Sequence, residues 1–455
     1  MNPRTIPTST TSALLLAPMV LALLGASGSA RAAVVTVSKN GPITTIQGGI
    51  DAAADGDTVR VLAGTYAEAV VIPLQKPGLI LQGKGKVILD VRGPGGAALG
   101  FGIDIQANGA TVRGLSIRNA ATLGFDTGDG IRIVGEQALI EKCAFEGNEE
   151  TGVHVFGDTA RIRKCVFRSN GDGIVIDQAL NVRVESCAFR ASGSGSVRMF
   201  GATNAVLDKL TVTEGGNAST ISTSGGNSDG VEVTRCKIRL SGDGAVILNG
   251  NDCRIANVDV VLSSGGLFVS GDRAVIEKCK LFTSVDGSDA ITISQGVDIE
   301  MRDNFVSSSS GGSLSVHECS GGFVTGNRAK NTGGDGNSGL EISSCTSLLI
   351  ENNVVTTCGG DAFRISGANN VLRDCVAKDA GVDGFDIRPD ATDTRLEQCF
   401  ALRCDAEGFE NSAIGVQLVD CVAKQNRLDL ANDGTLALVD IVFATGGVNV
   451  APEVD

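Results

Sequence analysis

The chain has 455 residues, a formal net charge of −14, 61 Gly, nine Pro, one Tyr and no Trp. So acidic a surface argues against nucleic acid or anionic lipid as a general partner. High Gly, with no long window of Leu, Lys and Glu, excludes a helical architecture and points to many short strands joined by tight turns. The length would hold two or three ordinary domains, or one long repeat body.

Residues 1–32 read as a processing segment. Arg4 supplies a weak positive charge, Ala13 to Leu24 an apolar run broken by Pro18, and Ala30, Arg31 and Ala32 a small-residue cleavage site. The apolar run is too short to span a bilayer comfortably, no later run approaches membrane length, and no Cys near it offers a lipid anchor. A cleaved signal peptide is therefore expected, with a soluble product that is secreted, extracellular or periplasmic.

Residues 33–98 follow as a cap and first coils. Ile46, Ile50, Ala53 and Ala54 space like one face of a short amphipathic helix, which "DGD" (Asp55–Asp57) ends before a strand. Such a helix would plug the open end of a coil and block edge-to-edge growth.

From 99 to 443 the chain repeats. "IEKCAF" (Ile140–Phe145), "IRKCVF" (Ile162–Phe167) and "VESCAF" (Val184–Phe189) set a register, an apolar residue three before a marked position and another two after it. The marked position falls at Leu115, Cys143, Cys165, Cys187, Leu210, Cys236, Val258, Cys279, Asn304, Asn327, Asn353, Cys375, Cys399, Cys421 and Ile441, a period of about 23 residues. Each repeat also carries a turn signal followed by an I-x-I strand, as in "DGIRI" (Asp129–Ile133) and "DGFDI" (Asp383–Ile387). Repeats this short leave no room for a helix, and their strands can bury an apolar face only by pairing in parallel with the next turn, at about 4.8 Å. The predicted fold is all-β: a single-stranded right-handed parallel β-helix, or solenoid, with an N-terminal capping helix and a tail at 444–455.

Thirteen Cys in an exported chain would ordinarily mean disulfides. Stacked Cβ atoms about 4.8 Å apart and pointing the same way do not suit a disulfide, and no C-x-x-C pair suggests a metal. A position that accepts Cys, Asn, Leu, Val or Ile is a small inward position, so the Cys are expected to be buried thiols. Asn304, Asn327 and Asn353 should form an amide ladder, and Phe145, Phe167 and Phe189 an aromatic stack. Cys319 and Cys345 lie off the ladder as neighbours, where a bridge would be strained by the same stacking.

The stretch Thr44–Ile72, with its "GTY", and "GLILQGKG" (Gly78–Gly85) resemble the opening of pectin-lyase-like β-helix proteins, pectin methylesterases among them. The resemblance implies the fold and a sugar-related role, with a sugar groove along the outer face of one strand stack. In this chain the outward positions of the I-x-I strands read Asp104, Arg132, His154, Val175, Arg198, Val246, Phe268, Thr292, Ser315, Glu341, Arg364, Asp386 and Glu410.

Two patches emerge on that face. Arg132, His154 and Arg198, with Asp129 and Asp172 at the strand heads, could bind a carboxylated sugar and move a proton. Glu341, Arg364, Asp386 and Glu410, flanked by Asp383 and Arg388, put two carboxylates one coil apart, near 5 Å, in reach of acid/base chemistry. Here Arg364 would either engage substrate or depress its acidic neighbours' pKa values. Asp383 and Asp386 are also the candidate Ca²⁺ ligands, although repeated Asp-Gly is good turn chemistry by itself, and no other cofactor is indicated. The plain alternative for each patch is a solvated charged face.

The constellations of polygalacturonases, pectin methylesterases and alginate epimerases are missing, and aromatic platforms are few, with Phe156, Phe200 and Phe268 the substitutes for Trp and Tyr. Two functions remain open. One is an exported polysaccharide lyase, hydrolase or epimerase on uronic-acid polymers, with Asp386, Glu410, Arg364 and His154 in the chemistry and Arg132, Arg198, Glu341 and Arg388 on the substrate. The other is a non-catalytic structural or adhesive module. In both the partner is a glycan and the chain is expected to be a monomer.

Overall fold

A coil of this protein is three short strands separated by sharp corners, and the corners explain the repeat. In the computed structural model Leu139–Glu141 and Ala144–Glu146 are joined by only Lys142 and Cys143. Lys142 has φ 54°, and the residue before the marked position is left-handed in coil after coil: Lys164, Ser186, Lys209, Arg235, Asn257, Lys278, Asp303, Asn352, Asp374, Gln398 and Asp420. One left-handed residue turns the chain through the corner and aims the next side chain inward, a backbone cost that L-residues normally avoid. Its sequence trace is the residue preceding each marked position, which is polar except at Gly114 and Gly326, where glycine takes the same left-handed corner.

The structure describes residues 32–123, 128–215, 218–226, 228–284, 288–333, 337–444 and 447–450. The expected signal peptide lies outside them apart from Ala32. The strands pair in parallel in register with their equivalents one coil away, giving about 17 turns in three stacked faces. One face runs from Val34–Val37 through Thr58–Tyr66 to Leu436–Val439, and a second from Ser116–Arg118 to Val442–Phe443. The third runs from Val70–Ile72 through Ile103–Ile105 and Thr151–Val155 to Leu428–Asn432 and Gly447–Val450, so pairing continues beyond residue 443. Among the described residues one α-helix, Ile46–Ala52, is present. Thr45 Oγ1 accepts from the Gly48 amide, and the Glu68 carboxylate accepts from the amides of Ile46 and Gln47, so a residue from the first coil caps the helix. No helix among the described residues is long and apolar enough to cross a membrane.

The interior is filled by the marked positions as expected. Cys143, Cys165 and Cys187 are at most 2 % exposed, and all 13 cysteines are free and buried. Cys319 and Cys345 touch without bridging, the Cys319 amide lying 3.4 Å from the Cys345 sulfur. Burial pushes the thiols of Cys236 and Cys279 up to about 12, so they are inert core groups. Asn304 Nδ2 donates to Asn327 Oδ1 and Asn327 Nδ2 to Asn353 Oδ1, both at 3.0 Å. Phe145, Phe167 and Phe189 stack at 4.9 and 4.7 Å, and Phe363, Phe385 and Phe409 form a second stack at 4.7 and 5.0 Å.

Candidate functional site

The third face carries one continuous file of outward side chains, fixed by strand register. Asp104, Arg132, His154, Val175 and Arg198 are successive partners; Ser222, Ile247, Phe268, Thr292 and Ser315 follow; then come Glu341, Arg364, Asp386 and Glu410. One expected member is corrected. Val246 is fully buried and Ile247 takes its place, because that strand starts one residue later than a strict I-x-I count allows.

A second file stands beside the first, three residues upstream at the strand heads. It explains the recurrent Asp. Asp172 Oδ1 accepts from the Gly195 amide at 2.8 Å, Asp361 Oδ1 from the Asp383 amide at 3.1 Å, and Asp383 Oδ1 from the Glu407 amide at 2.7 Å. Each carboxylate thus satisfies the backbone of the next coil and keeps its other oxygen for the outward file.

In the N-terminal patch Arg132 and His154 are brought together, whereas Val175 separates them from Arg198. His154 Nδ1 lies 3.2 Å from Asp129 Oδ2, its ring packs 4.2 Å from Phe156, and Arg132 covers the same Phe at 5.4 Å. Arg198 pairs with Asp172 at 3.0 Å and lies over Phe200 at 5.1 Å. Phe156 and Phe200 therefore already carry this protein's own cations, and only Phe268 of the three expected platforms faces a recess.

The C-terminal patch is denser than its sequence suggested. Arg364 Nη2 is 2.7 Å from Asp361 Oδ2 and its Nε 3.5 Å from Asp386 Oδ2, while Arg388 Nη1 reaches the same Asp386 oxygen at 3.2 Å. Asp361 and Asp383 are 3 % exposed and Asp386 is 4 % exposed. The acids thus lie under half-exposed Arg388, half-buried Arg364 and half-buried Glu410. Of the two roles open to Arg364, holding its acidic neighbours down does not prevail at Asp386. Burial first, then the charges of Asp361 and Glu410, push its pKa up to about 6 against the pull of Arg388. Burial and hydrogen bonding with Glu407 and Glu410 push Asp383 up to about 9. At neutral pH Asp383 keeps its proton and Asp386 is mainly ionised.

Asp361 and Glu407 belong to this site and were missed as site residues. The signal was present: they occupy the strand-head positions of the coils on either side of Asp383. Among the described residues no three His, Cys, Asp or Glu side chains are grouped as a metal site.

The family model for the right-handed β-helix region matches residues 101–260, 226–401 and 334–439. The chain belongs to the right-handed β-helix family. No curated protein matches it. Among solved structures, this β-helix is similar to a pectin methylesterase from carrot at 14 % identity (TM-score 0.36, covering 59 % of this chain and 82 % of that one). It is similar to the catalytic domain of a GH87 α-1,3-glucanase at 12 % identity (TM-score 0.47, 80 % and 67 %). A DFA-IIIase from Arthrobacter chlorophenolicus A6 is similar at 13 % identity (TM-score 0.45, 70 % and 84 %).

Proposed function

We propose that this β-helix is an exported enzyme that hydrolyses a glycosidic bond in an acidic polysaccharide at the Asp383, Asp386 and Glu410 cluster. The observation that carries the reading is a split pair of buried carboxyls three residues apart, Asp383 at the head of an outward strand and Asp386 on it. Asp383 holds a proton up to about 9 and Asp386 releases its own at about 6. Environments that push two carboxyls apart in this way assign general acid and general base. Asp383 would protonate the leaving oxygen, and Asp386, with Glu410 on the next rung, would take a proton from water.

The arginines supply the substrate class. Arg364 and Arg388 close over Asp386, and a sugar carboxylate that draws them off uncovers the base where the anion sits. Glu341, Arg132 and Arg198 extend the charged track along the same face. The N-terminal apolar run supports export, and the net charge supports a glycan over nucleic acid.

The test is incubation of purified protein with polygalacturonate and alginate, with and without Ca²⁺, followed by reducing-end and unsaturated-uronide assays. Hydrolysis predicts reducing ends without unsaturation, lost in Asp386→Asn and Asp383→Asn. Unsaturated product would assign a lyase instead, and activity that survives both substitutions sinks this site. The closed Asp361–Arg364–Asp386–Arg388 ion-pair ladder favours the second reading, a non-catalytic glycan-binding module; absence of any product, with polymer binding retained, would establish it.

A further inference from the structure

A recess of about 390 Å³ opens on the outward face, five rungs N-terminal of Asp386. That volume falls within the small-molecule range of roughly 300–1,000 Å³. Its floor is Ile247, Phe268 and Thr292, three successive outward side chains. Its walls are Asp243 and Asp289, at the heads of strands two coils apart, with Gly265 and Gly266 in the coil between them. Those glycines cannot take a side chain. A Cβ on Gly265 would sit 2.0 Å from the Asp243 carbonyl oxygen, and one on Gly266 would sit 1.8 Å from that of Ala290. Backbone packing therefore keeps side chains out of the space between two acids that stand roughly 10 Å apart along the stack.

Asp289 is prepared as an acceptor. Its Oδ2 accepts the Ser315 hydroxyl at 2.6 Å, and His317 Nε2 lies 3.8 Å away. Burial pushes its pKa up, but the His317 and Ser315 contacts outweigh burial and hold it below the ordinary value. An aromatic floor between ionised walls suits an uncharged sugar ring. The ring's apolar C–H face lies on Phe268 and its hydroxyls donate to the carboxylates on either side. A uronate would meet like charge on both walls. A single ammonium cannot come within about 4 Å of both acids across that span.

We propose that this recess is a subsite for a neutral hexopyranose unit of the polysaccharide, binding it by stacking on Phe268 and hydroxyl capture by Asp243 and Asp289. The proposal rests on the third face being the glycan face. About 24 Å of stack separates Phe268 from Asp386, so only an oligosaccharide engages both, and the polymer would carry neutral and acidic units.

The experiment is calorimetric titration of full-length Asp386→Asn protein with laminarihexaose, cellohexaose, mannohexaose, hexagalacturonate and, as a cationic control, polylysine. The result expected is saturable binding of at least one neutral hexaose. Adding Phe268→Ala should weaken it about ten-fold, as should Asp289→Asn, while Phe268→Tyr, which keeps a ring, should bind within about three-fold of the parent. Thermal unfolding of each variant reports that the fold is kept. The proposal is overturned if no neutral hexaose saturates, if a folded Phe268→Ala variant binds as tightly as its parent, or if only polylysine binds in a Phe268-dependent way. Because binding is read in a background without Asp386, a failure of the hydrolytic reading leaves this result intact.

Discussion

Asp386→Asn should make the protein more stable while removing its activity, and the size of the gain should depend on pH in a fixed direction. Asp386 is 4 % exposed and its pKa is about 6 in the fold, against about 3.9 for an unperturbed Asp. Below about pH 4 the carboxyl is protonated in both folded and unfolded chains and contributes no difference. Between about pH 4 and 6 the unfolded chain loses the proton while the folded chain keeps it, so stability falls as pH rises. Above about pH 6 the penalty is complete, about 3 kcal/mol. Asn mimics the protonated form and leaves Arg364 paired with Asp361 at 2.7 Å. Unfolding entropy for a chain of this length is about 0.9 kcal/mol/K, so the variant's Tm should exceed wild type by about 3 °C at pH 8 and by nothing at pH 4. Scanning calorimetry of both proteins at pH 4, 6 and 8 is the assay. A variant no more stable than wild type at pH 8, or equally stabilised at pH 4, would refute the assignment of Asp386 as a buried carboxylate under strain.

Asp383→Asn should be almost neutral for stability at pH 4 and below, where the carboxyl is protonated in folded and unfolded chains alike, and increasingly stabilising as pH rises through 6. The wild-type fold must then hold a proton that the unfolded chain has released, while Asn keeps the contact to the Glu407 amide; melts at pH 4 and 6 check it. Asn327→Leu should cost about 2–4 kcal/mol, since it removes the Oδ1 that accepts from the Asn304 backbone amide and from one of its side-chain N–H groups, and the Nδ2 that donates to the Met301 carbonyl, all in the dry interior; denaturant unfolding will read it. Phe167→Ala, at the centre of its stack, should cost about 3–5 kcal/mol by the same measurement. A thiol reagent should label none of the 13 cysteines quickly in the native protein and all 13 after unfolding without reductant; prompt native labelling would contradict the inward register.

Strand register is legible in this sequence because period-two alternation is enforced by an interior that excludes water. Cys143, Asn304 and Phe145 could be placed inward from spacing alone, and the outward file from Asp104 to Glu410 followed by counting. The count passed over Ser222 and failed at Val246, where a strand began one residue late and no composition signal marked the slip. Pairings within a file were legible too, as with Arg132 beside His154 and Arg364 beside Asp386. Contacts across files were not. Asp361 and Glu407 joined the site only when the strand heads were seen to run beside the outward file, since residues three apart on one coil and a coil apart on the next meet through corner geometry.

By itself, then, the sequence determined the solenoid, its inward ladder and the face on which polar side chains gather, because a repeating chain can bury its apolar positions in only one way. Only the tertiary structure decided what those side chains are. It showed Asp386 raised where an adjacent Arg suggested a lowered acid, Phe156 and Phe200 covered, and Phe268 open between Asp243 and Asp289. These depend on desolvation and on which charges share a few ångströms of buried space, quantities that neither composition nor period contains.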